Sequence, residues 1–189
     1  METVEKPVPH LVAAALAGEW QRDVLRAVRE LALPDCWVAA GFVRNAVWDH
    51  LHGYSQPTPL ADIDVLFYLD APDDAYDEQA LETRLAAMLP QHTWQVRNQA
   101  RMHHLNGFPP FASAADAMCH WVETPTAVGV ALDRLDRLRI NAPLGVGDLL
   151  GLRLQPGPHF RRERLPVYRQ RVQNKRWAEI WPKLRVLGL

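Results

Sequence analysis

Apolar residues first recur at the helical period between Leu11 and Leu33, at Leu11, Val12, Leu16, Trp20, Val24, Leu25, Val28 and Leu31. Gly18 interrupts that stretch and Pro34-Asp35 ends it. Residues 1–10, with Pro7 and Pro9, read as a loose lead-in. The short apolar run Cys36–Ala40 before Gly41 predicts a buried strand, and Phe42–His52 predicts a helix closed by Gly53. A Pro-containing loop over Ser55–Ala61 leads to the clearest strand, Asp62–Leu69. There Ile63, Val65, Phe67 and Leu69 alternate with Asp62, Asp64, Leu66 and Tyr68.

Further along, Glu78–Leu89 reads as a helix stopped by Pro90, and Trp94–Met102 as a strand of mixed polarity. Ala114–His120 reads as a helix, and Thr126–Asp133 and Leu138–Asn141 as strands. A helix begins at Asp148–Leu152, after the Gly145/Gly147 loop. Trp177, Ile180, Trp181 and Leu184 have the spacing of a buried helix face. Helices interspersed with short strands imply an α/β or α+β domain. Its expected parts are an N-terminal helical segment (1–34), a core (35–152) and a C-terminal helical segment (153–189) packed on that core.

Composition changes this picture little: 48% of the 189 residues are hydrophobic and 23% charged, as in an ordinary globular protein. A chain of this size needs no disulfide staples. Cys36 and Cys119 lie in apolar stretches, with no signal peptide before them, so reduced thiols in a cytoplasmic protein are expected. No run approaches the ~20 apolar residues of a membrane span, so a transmembrane reading is excluded.

Charge changes it more. From Arg153 onward ten Lys/Arg face Glu163 and Glu179, which makes that segment +8 and leaves −9 for residues 1–152. A basic segment can contact phosphates. Docking on the acidic body of its own domain is the preferred reading, because the same segment carries the apolar Trp177–Leu184 pattern.

The candidate chemistry lies in Ala40-Gly41-Phe42-Val43-Arg44-Asn45 and, some twenty residues on, Asp62-Ile63-Asp64-Val65. Side chains at i and i+2 of a strand share a face, with Cα atoms roughly 6.6 Å apart. Two carboxylates so placed repel unless solvated or neutralised by a cation. Hard cations such as Mg²⁺ or Mn²⁺ take such oxygen ligands together with substrate phosphates. Gly41 between a strand and a helix lets a ligand approach the backbone, and the helix N-terminus offers free N–H groups to phosphate oxygens. Arg44, one turn in, can add a charge-assisted bond. No Rossmann or Walker A pattern is present.

Strand, glycine, helix, then a strand bearing Asp-x-Asp resembles the polymerase-beta-like nucleotidyltransferase superfamily. The stretches Trp94–His103 and Trp121–Val130, with Lys175-Arg176-Trp177 and Trp181-Pro182, look like a small bacterial nucleotidyltransferase-like family within it, once a domain of unknown function. The resemblance runs from about Trp37 to Pro182. It implies a small mixed sheet flanked by helices with a C-terminal helical extension. It also implies metal-dependent transfer of a nucleoside monophosphate from a nucleoside triphosphate (ATP or another) to an acceptor hydroxyl, with pyrophosphate leaving. In that reading Asp62 and Asp64 ligate metal, and Gly41, Phe42, Arg44 and Asn45 hold the donor.

Two departures stand out. Ala40-Gly41 supplies one glycine where related sequences often pair small residues, and the expected third carboxylate is missing from Trp94–Met102, which carries Asn98 and Gln99 instead. Glu123 and Asp133 remain alternatives for a general base. An alternative function follows: a nucleotide-binding or interaction domain that keeps the fold without the chemistry. An RNA acceptor drawn by the basic segment is a third reading.

Other residues read as structural. His103-His104 and His120 lack zinc-ligand spacing, although His103 extends a family-like stretch and is a candidate pocket residue. Arg97, Gln99 and Arg101 would share one face of a strand, exposed or toward substrate. The tryptophans read as packing anchors, and no Gly-x-Ser-x-Gly elbow appears.

Overall fold

The computed structural model describes residues 9–71 and 76–189. Of the loose lead-in expected over residues 1–10, residues 1–8 lie outside the described part, and His10 already opens the first helix. The N-terminal amphipathic stretch breaks where Gly18 predicts, into α1 (His10–Ala15) and α2 (Glu19–Arg29), with Gly18 at the α2 N-cap.

Five strands form the main sheet: β1 (Trp37–Ala39), β2 (Ile63–Phe67), β3 (Trp94–Asn98), β4 (Gly129–Leu132) and β5 (Leu138–Asn141). Their order is β3-β2-β1-β4-β5, mixed in direction, with β2 and β3 parallel and the other pairs antiparallel. This is the small mixed α/β sheet that the resemblance implied.

Helix α3 (Gly41–His52) follows β1, and α4 (Glu78–Met88) precedes β3. Gly53 ends α3 in the left-handed region at φ 72°, and the Tyr54 N–H bonds back to the Asp49 carbonyl. The Asp77 carboxylate caps α4 by accepting from the Gln79 and Ala80 N–H groups.

The alternation along β2 separates two environments. Ile63, Val65 and Phe67 join Val38, Val96 and Val130 in the main core beneath the helices. Leu66 points the other way, into a smaller cluster with Ala39, Met118 and Ala127. Met118 belongs to α5 (Ala114–Cys119), capped by Ser113.

The strand expected over Trp94–Met102 stops at Asn98. Its neighbour β2 ends opposite, at Phe67, and the Asn98 side chain takes over the pairing. Asn98 Oδ1 accepts from the Leu69 and Ala100 N–H groups, and its Nδ2 donates to the Leu69 carbonyl. Gln99–Arg101 and His103–Asn106 are 3-10 turns, so Arg97, Gln99 and Arg101 do not share a strand face. The strand expected from Thr126 begins at Gly129, because Thr124–Thr126 forms a 3-10 turn in which Thr126 Oγ1 donates to the Glu123 carbonyl.

The C-terminal segment packs differently from a single buried helix face. After α6 (Gly147–Leu150) and β6 (Arg153–Leu154) come α7 (Leu165–Lys175) and the four-residue α8 (Trp177–Ile180). Pro182 cannot extend α8, and Ile180 is exposed, whereas Trp177, Trp181 and Leu184 join the core. Strand β7 (Arg185–Val186) then pairs in parallel with β6. The Tyr168 hydroxyl of α7, fully buried, lies 2.8 Å from the Leu154 carbonyl and 2.7 Å from that of Leu187.

Candidate active site

At the end of β1 the chain must turn sharply into α3, and Ala40 makes that turn at φ 52°, ψ −119°, a conformation that favours glycine. The side chain of Ala40 cannot cap the helix. The first intrahelical bond runs from the Arg44 N–H to the Ala40 carbonyl, so the N–H groups of Gly41, Phe42 and Val43 have no partner within the helix. A Cβ on Gly41 would lie 3.2 Å from Leu60 Cδ2 and 3.5 Å from Arg44 Nη2, so glycine lets the Thr58–Ala61 loop close on the helix start.

Register brings the carboxylates to the same place: Asp64 pairs with Ala39 on one side and with Gln95 on the other. Asp62 sits just before β2 rather than within it. Asp62, Asp64, Gly41, Arg44 and Asn45 all line one cleft of about 360 Å³. Burial and the neighbouring Asp62 push the Asp64 carboxyl up to about 6, against the pull of Arg44, Arg171 and Lys175. Two crowded carboxylates, one of them raised, are what a divalent cation relieves, so the pair fits a metal. Among the described residues no group of three His, Cys, Asp or Glu could hold one. The remaining ligands would therefore be substrate oxygens and water.

Arg44 is not the surface residue that a simple turn would present; it is 9% exposed. Its guanidinium lies 4.6 Å from the centre of the Trp177 ring, and Nη2 donates to Asn45 Oδ1 at 2.8 Å, while Nε has no hydrogen-bond partner among the described residues. Burial pulls its pKa down to about 10, with Arg171 adding to the effect and Glu123 and Asp64 opposing it. The side chain of Phe42 points away from the cleft, into the core, edge-on to Trp20 at 5.6 Å. Only its backbone is near the helix start.

Several cleft residues escaped the sequence reading. Opposite Asp64 the neighbouring strand presents Gln95, not Asn98 or Gln99; the buried Trp94, Val96 and Asn98 alternation of β3 is the signal that would have placed it. Glu123 is buried and held by Arg171, and Asp133 sits in the β4–β5 turn bonded to Arg137. Neither is a cleft-lining residue. Arg171, Lys175, Trp177 and Trp181 line the same cleft, from the C-terminal segment.

Asp49 ties these parts together: Oδ1 accepts from Trp181 Nε1 at 2.7 Å and Thr58 Oγ1 at 2.6 Å, and Oδ2 from the Thr58 N–H at 2.7 Å. His52 adds a second tie. Its Nε2 accepts from the Lys183 N–H, leaving Nδ1 to donate to the Trp48 carbonyl.

The remaining candidates lie elsewhere. Arg97 is paired with Glu82 at 2.6 Å. His103 packs against Phe111, outside the cleft, and His120 stacks on His159 at 4.1 Å. No helix among the described residues is long and apolar enough to cross a membrane.

Comparison with known structures places this fold in a wider group. An NMR structure described as revealing a CCA-adding enzyme head domain is 33% identical, with 93% of each chain covered and a TM-score of 0.80. A CCA-adding enzyme with CTP (14% identity, TM-score 0.55) and the Thermotoga maritima CCA-adding enzyme complexed with tRNA (15%, 0.57) share the fold. Each aligns with 98% of this chain, which covers only 44% and 43% of theirs. No curated protein matches. The nucleotidyltransferase family model matches residues 26–186, and the chain belongs to that family.

Proposed function

We propose that this protein is a metal-dependent nucleotidyltransferase. The observation that carries the reading is the meeting, in one cleft, of the Asp62/Asp64 pair with the uncapped start of α3. Asp62 and Asp64 would hold Mg²⁺ or Mn²⁺, which when bound supplies charge stabilisation at the phosphates. The N–H groups at Gly41–Val43 and the Arg44 guanidinium orient the phosphate chain of the donor.

In the reaction the acceptor oxygen bonds to the α-phosphorus, the bond from that phosphorus to pyrophosphate breaks, and the hydroxyl proton leaves to solvent. Gln95, beside Asp64, orients without taking that proton, since an amide is no base at neutral pH. The structures of the same fold described with CTP and with tRNA make CTP and tRNA suitable first donor and acceptor probes.

A second reading rests on the same Gln95: a domain that binds nucleotide without transferring it. Calorimetric titration with ATP and CTP, with and without Mg²⁺ or Mn²⁺, and an assay for pyrophosphate release with RNA acceptors separate the two. Metal-dependent binding with pyrophosphate release supports the transferase, and binding without release across acceptors supports the second reading. A folded sample that binds neither nucleotide overturns both.

A further inference from the structure

The cationic wall of the cleft comes from far along the chain. Arg171 and Lys175 stand one turn apart on α7 and therefore on one face. Arg171 Nε lies 2.6 Å from Glu123 Oε1, and the Glu123 side chain is only 1% exposed. A carboxylate that deep is costly unless paired, and this one has an ion pair with the inner nitrogen of a guanidinium that is 43% exposed and lies 5.8 Å from the centre of the Trp177 ring. Among the described residues, neither the Arg171 Nη groups nor the Lys175 ammonium has an acceptor.

Behind them Arg44 is buried, with Nε unpartnered. If these cations served only to neutralise Asp62 and Asp64, direct ion pairs would be expected. None joins them among the described residues. Acidic and cationic side chains thus line one cleft without pairing directly. Once a divalent cation satisfies the carboxylates, the cations lack a counter-charge, and a phosphate chain supplies it.

The geometry points to Arg171 and Lys175 as a clamp on the phosphate chain of the donor nucleotide, with Glu123 as the positioning residue that aims Arg171. This inference rests on the nucleotidyltransferase reading and adds the C-terminal helix to the donor site. Glu123, an alternative for general base from sequence alone, acquires a different role, which is to hold a cation still. Fixing Arg171 in advance removes the ordering cost of a long side chain when the anion arrives.

The test uses the 189-residue chain and four probes, namely ATP with Mg²⁺, AMP, adenosine, and Mn²⁺ alone. Arg171→Ala and Lys175→Ala should each raise the ATP Kd about tenfold and the AMP Kd much less. Adenosine binding should not change, and Mn²⁺ binding without nucleotide should hold or tighten as a like charge is removed. Glu123→Gln should weaken ATP binding as Arg171→Ala does, yet add nothing in the Arg171→Ala background. An equal loss in both backgrounds would reduce Glu123 to a structural residue. Thermal unfolding monitors each variant, and the exposed Lys175→Ala carries the test if Glu123→Gln fails to fold. If wild type binds ATP and the Arg171 and Lys175 variants bind it equally, the clamp is overturned alone. If wild type binds no nucleotide, the transferase reading falls first.

Discussion

The acidic wall of the cleft is built from one short contiguous stretch, in which β1, α3 and β2 follow one another between Trp37 and Phe67. The cationic wall arrives from α7, after the chain has completed the five-stranded sheet. The first wall works through backbone geometry and a pair of carboxylates on one strand end; the second works through long side chains held by a buried carboxylate. Local wiring is robust and leaves a pattern in the chain. A wall assembled at long range depends on its joints, here Asp49–Trp181 and Glu123–Arg171.

The comparison breaks most sharply at Asp64. Asp64→Asn should lower transfer about 10³-fold, since a metal supplies several kcal/mol of charge stabilisation. Nucleotide-free Mn²⁺ binding should be lost while the fold is kept. Full turnover in that variant would remove the acidic wall from the chemistry.

Next comes the joint. Asp49→Ala strips a buried acceptor from Trp181 and Thr58 and should destabilise the protein by about 3 kcal/mol, read as a lower urea midpoint. An unchanged midpoint would mean that the two walls are held together in some other way.

A smaller effect separates the walls by pH. In the folded, metal-free protein Asp64 keeps its proton up to about 6, whereas the unfolded chain releases it near 3.8. The folded state therefore binds more protons within that window, and the Asp64 contribution lowers stability as pH rises through it. The difference between wild type and Asp64→Asn should thus grow between those pH values, by roughly 2–4 °C in Tm for each kcal/mol. Saturating Mn²⁺ should remove the difference in wild type. A pH-independent difference would place Asp64 in a solvated setting.

The smallest expected effect is at the turn. Ala40→Gly should stabilise by about 1 kcal/mol by relieving a positive φ, less the entropy that glycine adds to the unfolded chain. A destabilised variant would show that the methyl group packs usefully where the turn needs a glycine-like backbone.

Sequence and structure part company along this same line. The Asp-x-Asp strand, the glycine that opens α3 and the Gly53 stop are legible because each is a periodic or conformational signal spanning a few residues. Asn98 shows the limit: its side chain substitutes for a strand partner, which no period records. Trp177, Trp181 and Leu184 were recognised as buried, but the helix drawn through them was too long, since Pro182 and the β6–β7 pairing end it.

From the sequence by itself came the mixed α/β class, the candidate Asp62/Asp64 pair and the strand–glycine–helix element, because local backbone preference and side-chain alternation are written residue by residue. Only the tertiary structure decided that Gln95 stands beside Asp64, that Arg44 is buried, and that Arg171 and Lys175 face the carboxylates. Those facts follow from strand register and from packing between segments remote in sequence, and the free energy that selects them belongs to the assembled core rather than to any short stretch of chain.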